Sequence, residues 1–495
     1  MITKKMKKYI TATLLALPIM AQAQNPYTLK FLPQLHQSQW VNATNQSDAK
    51  ISIGVPVLSS LSFYVYNSGF SYNSLFTANS DGTMSIHPGD FIDKLKARNV
   101  VAFGADVSLF SANVSLEQMS VGFSVQDRVD FRFSYPKDLF KFAWYGNGAY
   151  IGQSLNIGNF GLNASWYREY ALHGTKNFGK WTFGASPKLL FGKTNINTKE
   201  SYLQVYTEPD YYAITAMTEL NLQTSGLADS ADRAQGNMQF PAYAFNNKNT
   251  GLGIDLGVKY DLTDKIDVAA GVNNLGYINW KSNIHNHTVG PKSFTFDGFD
   301  LSNYLRTGDS SFISTDQYVD SVKDLIKFEK NTNAYRTSLP AEIYAIGNYK
   351  ISDMHNVGAQ FSTQKFSKKM VVTTTLAYRI NVGKHLTGAL SYTMRSGSAF
   401  NLGGAVILRF AGMQWYVAAD NWWASVKPLD ARNANLNLGM NLVFGDRAKK
   451  KVTDDNEFEL RKDQLNDRNF RRSTDLDTDP DPDDEGTPAN DAPRG

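Results

Sequence analysis

From residue 51 to residue 445 the chain repeatedly alternates apolar and polar positions with period two, the spacing of extended strands with two unlike faces. The stretch 435–445 shows the pattern most cleanly. Leu436, Leu438, Met440, Leu442 and Phe444 fall on one face, and Asn435, Asn437, Gly439 and Asn441 on the other. It is the last such segment, it follows many others, and it reaches an aromatic at Phe444. This combination predicts the closing strand of a transmembrane antiparallel β-barrel, with Leu438 and Leu442 towards lipid and Asn437 and Asn441 towards the lumen. If that lumen is wet, Asn437→Arg should cost little.

Taken in order, the chain opens its strand region after a short polar lead, residues 25–50. Ile51, Ile53, Val55 and Val57 alternate with Ser52, Gly54 and Pro56, and residues 58–70 read as a second, aromatic strand. Residues 88–98 predict a short amphipathic helix, because Phe91, Ile92 and Leu95 share a helical face. Strands follow over 101–109 and 121–135, a helix-like stretch over 136–144, and a hairpin over 160–170 and 181–191. Segments 202–206 and 211–222 predict a further hairpin. Residues 224–249, rich in Gly, Asn, Asp and Ser, read as a long loop. Strands over 252–260 and 266–280 come next. Then a non-strand insert covers 300–333, where Ser314 and Gln317 have capping-box spacing and Val319, Val322 and Ile326 line one helical face. Five or six closely spaced strands, over 342–423, lead to the closing one. The fold class expected is all-β, a single barrel of about 14 strands, with any even number from 12 to 18 compatible with the segmentation.

Composition agrees with a wide apolar belt. Aromatics make up 13% of the 495 residues and charged residues 19%, and the net charge of +4 does not suggest nucleic acid. With no cysteine, disulfides, thiolate nucleophiles and Cys-ligated zinc are excluded. Lys4, Lys5, Lys7 and Lys8 precede a short apolar run, 9–20, and then Ala21-Gln22-Ala23. That order predicts a signal peptide over 1–23 and a mature chain from Gln24, since the run is too short to span as a helix. The barrel is expected over 24–445. Residues 446–495 are charged and poor in apolar residues, which predicts a disordered periplasmic tail.

Residues 88–99, the segment 136–148 ending Gly146-Asn147-Gly148, residues 183–193 (Phe-Gly-Ala-Ser-Pro-Lys-Leu-Leu-Phe-Gly-Lys) and residues 255–280 carry a resemblance. Together they resemble an uncharacterised family of Bacteroidota outer-membrane proteins, a domain of unknown function. That family is broadly similar to long-chain fatty-acid transporter barrels and to barrel components of type IX secretion and gliding machines. The resemblance covers about residues 30 to 445. It implies a fold and a location, and transfers no catalytic residue.

Candidate chemistry is sparse. The histidines are His36, His87, His173, His285, His287, His355 and His385, and only His285 and His287 stand close together, without an evident third metal ligand. Ser–His pairs could serve a hydrolase, yet no nucleophile-elbow pattern accompanies them. Asp475, Asp477, Asp479, Asp481 and Asp483 alternate in the tail but lack the glycine and terminal acid of an EF-hand loop. Asp106, Arg132, Lys188 and Arg379 fall on the expected inner face, as a structural network or a pore lining. No catalytic, cofactor or metal site is assigned. The expected function is a non-enzymatic outer-membrane barrel passing or delivering a substrate, apolar if the fatty-acid-transporter likeness carries over. The alternatives are a docking barrel of an envelope machine and, behind it, an outer-membrane hydrolase. The expected partners are membrane lipid, an apolar small-molecule ligand, and periplasmic or outer-membrane proteins reaching the loops and tail. Transport predicts a continuous cavity with a movable plug; docking predicts a filled barrel.

Overall fold

Sharp turns at one end of the strands set the pairing. Ala411 and Gly412 form a two-residue turn with φ of 50° and 77°, the left-handed pair that matches the twist of antiparallel neighbours. Similar short turns occupy 116–118, 179–180, 262–265, 351–354 and 383–385, all at the same end as the chain's first strand start and last strand end. The computed structural model describes residues 26–78, 83–227, 245–297, 327–366 and 369–447. In it the hairpins join edge to edge into a closed ring of 14 antiparallel staves.

The first stave is made of two pieces, β1 (Ala49–Gly54) and β2 (Leu61–Asn67). Then come β3 (Arg98–Ser115), β4 (Met119–Pro136), β5 (Gly161–Phe178) and β6 (Trp181–Thr207). A shorter strand, β7 (Ile214–Ser225), stands outside the ring on the upper part of β6. The ring continues with β8 (Asn249–Asp261) and β9 (Ile266–Trp280), while β10 (Asn286–Phe296) pairs with β7 beyond the rim. β11 (Glu342–Lys350), β12 (His355–Phe366), β13 (Lys369–Val382), β14 (Leu386–Arg395), β15 (Ser398–Phe410), β16 (Met413–Ala419) and β17 (Asn433–Asp446) complete it. β17 pairs with β16 on one side and with β1 and β2 on the other, as Ile51↔Phe444 and Leu61↔Leu438 show.

The alternation sorts the faces as expected. Asn437 and Asn441 are 2% and 0% exposed inside the ring, while Leu442 and Phe444 face outward at 37% and 50%. Phe361, Leu376 and Leu390 continue the outer apolar face, and Gln360, Thr375 and Ser391 the inner polar one. Phe178, Trp181 and Phe410 stand exposed near the short turns, with Trp181 and Tyr260 rings 4.5 Å apart. Such aromatics mark a membrane interface in a transmembrane barrel. Helices α1 (Pro88–Lys94) and α2 (Lys137–Tyr145) lie at the opposite end, and Phe91, Ile92 and Leu95 are buried there with Tyr135.

Several expectations need correction. Residues 51–57 and 58–70, read as two strands, form one stave. Pro56 lacks a backbone donor and Val57 has φ of 66°, so the strand breaks there and bulges outward. The segments 181–191 and 202–206 are one 27-residue strand, β6, which bulges at Lys193, between Gly192 and Thr194, then runs past the rim and pairs again with β7. β10 was not foreseen, since its Pro291 and exposed polar residues hide the alternation. The largest correction concerns the polar lead: residues 26–48 run inside the ring, nearly every side chain buried. The stripe Val319, Val322 and Ile326, the signal segment and the tail beyond Arg447 lie outside the described residues.

Two substitutions separate the faces. Leu438→Arg is expected to lower stability in lipid vesicles by about 2–4 kcal/mol if the position is near mid-bilayer. Asn437→Arg, cheap only in a wet lumen, is expected to cost about 1–3 kcal/mol through overpacking. Urea titration of refolding into vesicles reads both, and an unchanged midpoint for Leu438→Arg would remove the lipid-facing register.

Candidate functional site

The segment from Pro26 to Asp48 forms a plug with two short 3₁₀ turns, Thr28–Phe31 and His36–Trp40. Its apolar residues Leu29, Leu32, Leu35 and Val41 bury themselves against small wall residues such as Ala389, Ala405 and Ala418. Its polar groups meet the wall all round the ring. The Asp420 carboxylate accepts hydrogen bonds from Tyr27 N at 3.0 Å, Thr28 N at 2.7 Å and Thr28 Oγ1 at 2.6 Å. Arg379 Nη1 donates to Phe31 O at 2.6 Å, and Gln37 Nε2 donates to Asn441 Oδ1 at 2.6 Å. Lys30 Nζ lies 2.8 Å from Glu342 Oε1, with side-chain exposures of 0% and 1%.

Glycines on the wall allow this contact. A Cβ on Gly184 would sit 1.9 Å from Ala43 O, and one on Gly358 would sit 2.5 Å from Phe31 Cε1. Sequence reading noted glycines on the inner faces without seeing what they admit. The three-residue spacing of Leu29, Leu32 and Leu35 was the other available signal, but three positions are too few to establish a period.

Beyond the plug, towards the end with the long connections, the lumen opens into a cavity of about 750 Å³. Its lining includes Asp106, Arg128, Arg132, Tyr167, Asn274 and Leu339. Charges there run in an alternating chain across adjacent staves. Arg128 Nη1 is 3.9 Å from Asp106 and Nη2 is 3.2 Å from Glu169. Lys188 Nζ lies 3.4 Å from Glu169 and 2.8 Å from Asp255. Arg132 pairs with Asp130 at 2.7 Å, and Tyr64 OH donates to the same carboxylate. Asp106 and Arg132 thus line the cavity, Lys188 lies buried behind it and bonded to the lining residue Asn274, and Arg379 holds the plug. A buried charge survives only when paired and hydrogen-bonded, which accounts for the alternation of sign.

The histidines are scattered. His36 reaches Ser52 Oγ at 2.7 Å and Ser111 Oγ at 3.0 Å; His173 reaches Ser186 and Ser124, each at 2.9 Å. These Ser–His contacts are buried, His36 joining plug to wall and His173 lying within the wall, and Trp40 stacks on His173 at 6.3 Å. His285 contacts Asn283 at 3.1 Å and His287 packs on Phe328, so the two do not converge. His87 contacts Ser85, His355 contacts Tyr378, and His385 contacts Arg409 O. Among the described residues no group of three His, Cys, Asp or Glu is placed to hold a metal. The acidic tail lies outside them.

The glycine contact can be tested. Gly184→Val should push Ala43 and Thr44 off the wall, loosening the plug by about 1–3 kcal/mol. Amide hydrogen exchange over residues 39–45 should then rise by about five- to 150-fold, the same energy expressed as a ratio. Unchanged exchange would mean the plug does not rest on Gly184.

None of the curated proteins compared with the chain matches it. Among solved structures, the toluene transporter TodX of P. putida is similar at 10% identity and a TM-score of 0.35, covering 82% of this chain and 93% of its own. The toluene transporter TbuX of Ralstonia pickettii is similar at 9% identity and 0.36, covering 83% and 93%. A Pseudomonas aeruginosa FadL homologue is similar at 10% identity and 0.35, covering 81% and 90%. Likeness of this size fixes no substrate. A family model described as a family of unknown function (DUF5723) matches residues 44–420, most of the ring, and the chain belongs to that family.

Proposed function

We propose that the protein is a non-enzymatic outer-membrane barrel that passes a small solute through a lumen gated by its N-terminal plug. The observation that carries this reading is a roomy luminal cavity beyond a plug held by many separate polar contacts. A docking barrel has no need of the cavity, and an open pore has no need of the plug. The outward apolar face, the aromatics near the short turns and the contrast between short turns and long connections support an outer-membrane location. On that reading residues 1–23 are the signal peptide, Gln24 starts the mature chain, both strand termini face the periplasm, and residues 446–495 extend there as a tail. The buried Ser–His pairs hydrogen-bond to hydroxyls, without a carboxylate bonded to the ring, which supports a role without covalent chemistry.

The cavity suits an amphiphilic solute. Arg128, Asp106 and Asn274 offer polar contacts, while Ile278, Leu339 and the Tyr167 ring offer apolar ones. An apolar body with a polar head satisfies both halves of this lining. A wholly apolar cargo would leave the charged wall uncovered.

Proteoliposome swelling tests the gate. Intact protein should admit arabinose and sucrose slowly, and deletion of residues 26–47 should accelerate arabinose at least tenfold. Heat-modifiable migration on gels checks that the shortened barrel folds. If it does not, Glu342→Gln, which strands the Lys30 ammonium, should raise the rate in the same direction. Equal rates in a folded, plugless barrel would overturn the reading.

A further inference from the structure

Successive residues of a strand point to opposite faces, yet Asn273 and Asn274 in β9 are both buried in the lumen, at 2% and 6% exposure. The cause is local. The register between β8 and β9 shifts where Ile254 pairs with Leu275 but Leu256 pairs with Val272, leaving a bulge. Asn274 takes φ of 57°, in the left-handed region that asparagine tolerates better than other residues with a side chain. The Asp255 carboxylate fixes the bulge by accepting from Asn274 N at 2.6 Å. A bulge re-aims side chains, and here it aims two neighbours at different targets.

Asn273 addresses the plug. Its Nδ2 donates to Val41 O at 2.8 Å and to Glu342 Oε2 at 3.2 Å. The other oxygen of Glu342 holds Lys30, so one amide supports the plug at two points far apart in its sequence. Asn274 addresses the cavity. It lines that space, and its Oδ1 accepts from Lys188 Nζ at 2.9 Å. Lys188 is the cation of the chain formed with Glu169 and Asp255.

We infer that the bulge of Asn273 and Asn274 transmits occupancy of the cavity to the plug, with Asn274 reading the solute and Asn273 as the positioning residue that holds Val41 and Glu342. A solute hydroxyl in the cavity that donates to Asn274 Oδ1 competes with the buried Lys188 ammonium for that oxygen, and the bulge, then held by Asp255 alone, loosens. Asn273 then leaves Val41 O and Glu342 together. Solutes with a hydroxyl head act in this way; a plain hydrocarbon has no donor to compete for Asn274 Oδ1. The inference rests on the gated-passage reading, but its test needs no transport.

The test is hydrogen exchange over residues 28–44 of the full chain in lipid nanodiscs. Asn273→Ala should raise exchange at Lys30 and Val41 at least tenfold. Asn274→Gly, which admits the left-handed backbone and removes the bond to Lys188, should do the same although Asn274 is not the residue that holds the plug. The double variant should exchange no faster than either single one, because both act through one link. Asn274→Asp, which restores an oxygen to Lys188, should return exchange to the parent level. Asn197→Ala, on the same cavity but bonded to Gln223 and Asn163, should leave the plug unchanged. If Asn274→Gly does not insert, Asn274→Ser, too short to reach Lys188, replaces it. Loss of protection in Asn273→Ala alone would make Asn273 a simple latch and overturn the coupling, as would equal loss in Asn197→Ala. Failure of plug deletion to speed swelling would instead strike the gated-passage reading and leave these exchange results standing.

Discussion

Ring closure governs everything else in this molecule. Within lipid no water is present to satisfy backbone donors and acceptors, so each strand must pair on both edges. The junction of β17 with β1 and β2 is where that demand is met last, and it is met by two short pieces instead of one long strand. The interruption at residues 55–60 keeps its ends tied to both neighbours, with Val57 N donating to Ser108 O and Met440 N donating to Leu58 O. The wall therefore stays continuous while Ser59 turns inward, where its carbonyl accepts from Gln37 of the plug and from Tyr416.

Closing 14 staves creates an interior too wide for wall side chains to fill alone. The period-two pattern lines that interior with Ser, Thr, Asn and Gln, whose buried polar groups need partners. The plug supplies them at one end and a chain of alternating charges supplies them at the other. The two fillings differ in kind. The plug combines buried apolar residues, Leu29, Phe31, Leu32, Leu35 and Val41 among them, with many polar contacts. The charge chain braces the wall and leaves a cavity open.

The Lys30–Glu342 pair shows how the plug is seated. Desolvating both ions offsets much of their attraction, so an intact buried pair adds little net stability, while removing one partner costs several kcal/mol. Such a pair selects one seat for the plug more than it deepens the well. Asp420 acts similarly at the plug's first turn, where its carboxylate meets two backbone amides and a hydroxyl.

Much of this was legible in the residues and some was not, for identifiable reasons. The faces of β17, the helix at 88–94 and most hairpins follow from period and turn chemistry, which act between residues close in sequence. Leu442 faces out and Asn441 faces in for the same reason in any closed ring with this pattern. Residues 26–48 read as a polar lead because many of the plug's partners lie about 300 to 400 residues away, as Lys30–Glu342 and Gln37–Asn441 show. The join of residues 51–57 with 58–70 into one stave, and the length of β6, depended on which neighbours offered free edges. The bulge at Asn274 depended on a register that two strands settle between them. Local alternation thus wrote the wall and its two faces into the chain. The contents of the lumen came from long-range contacts, since buried donors and charges choose partners by position in space.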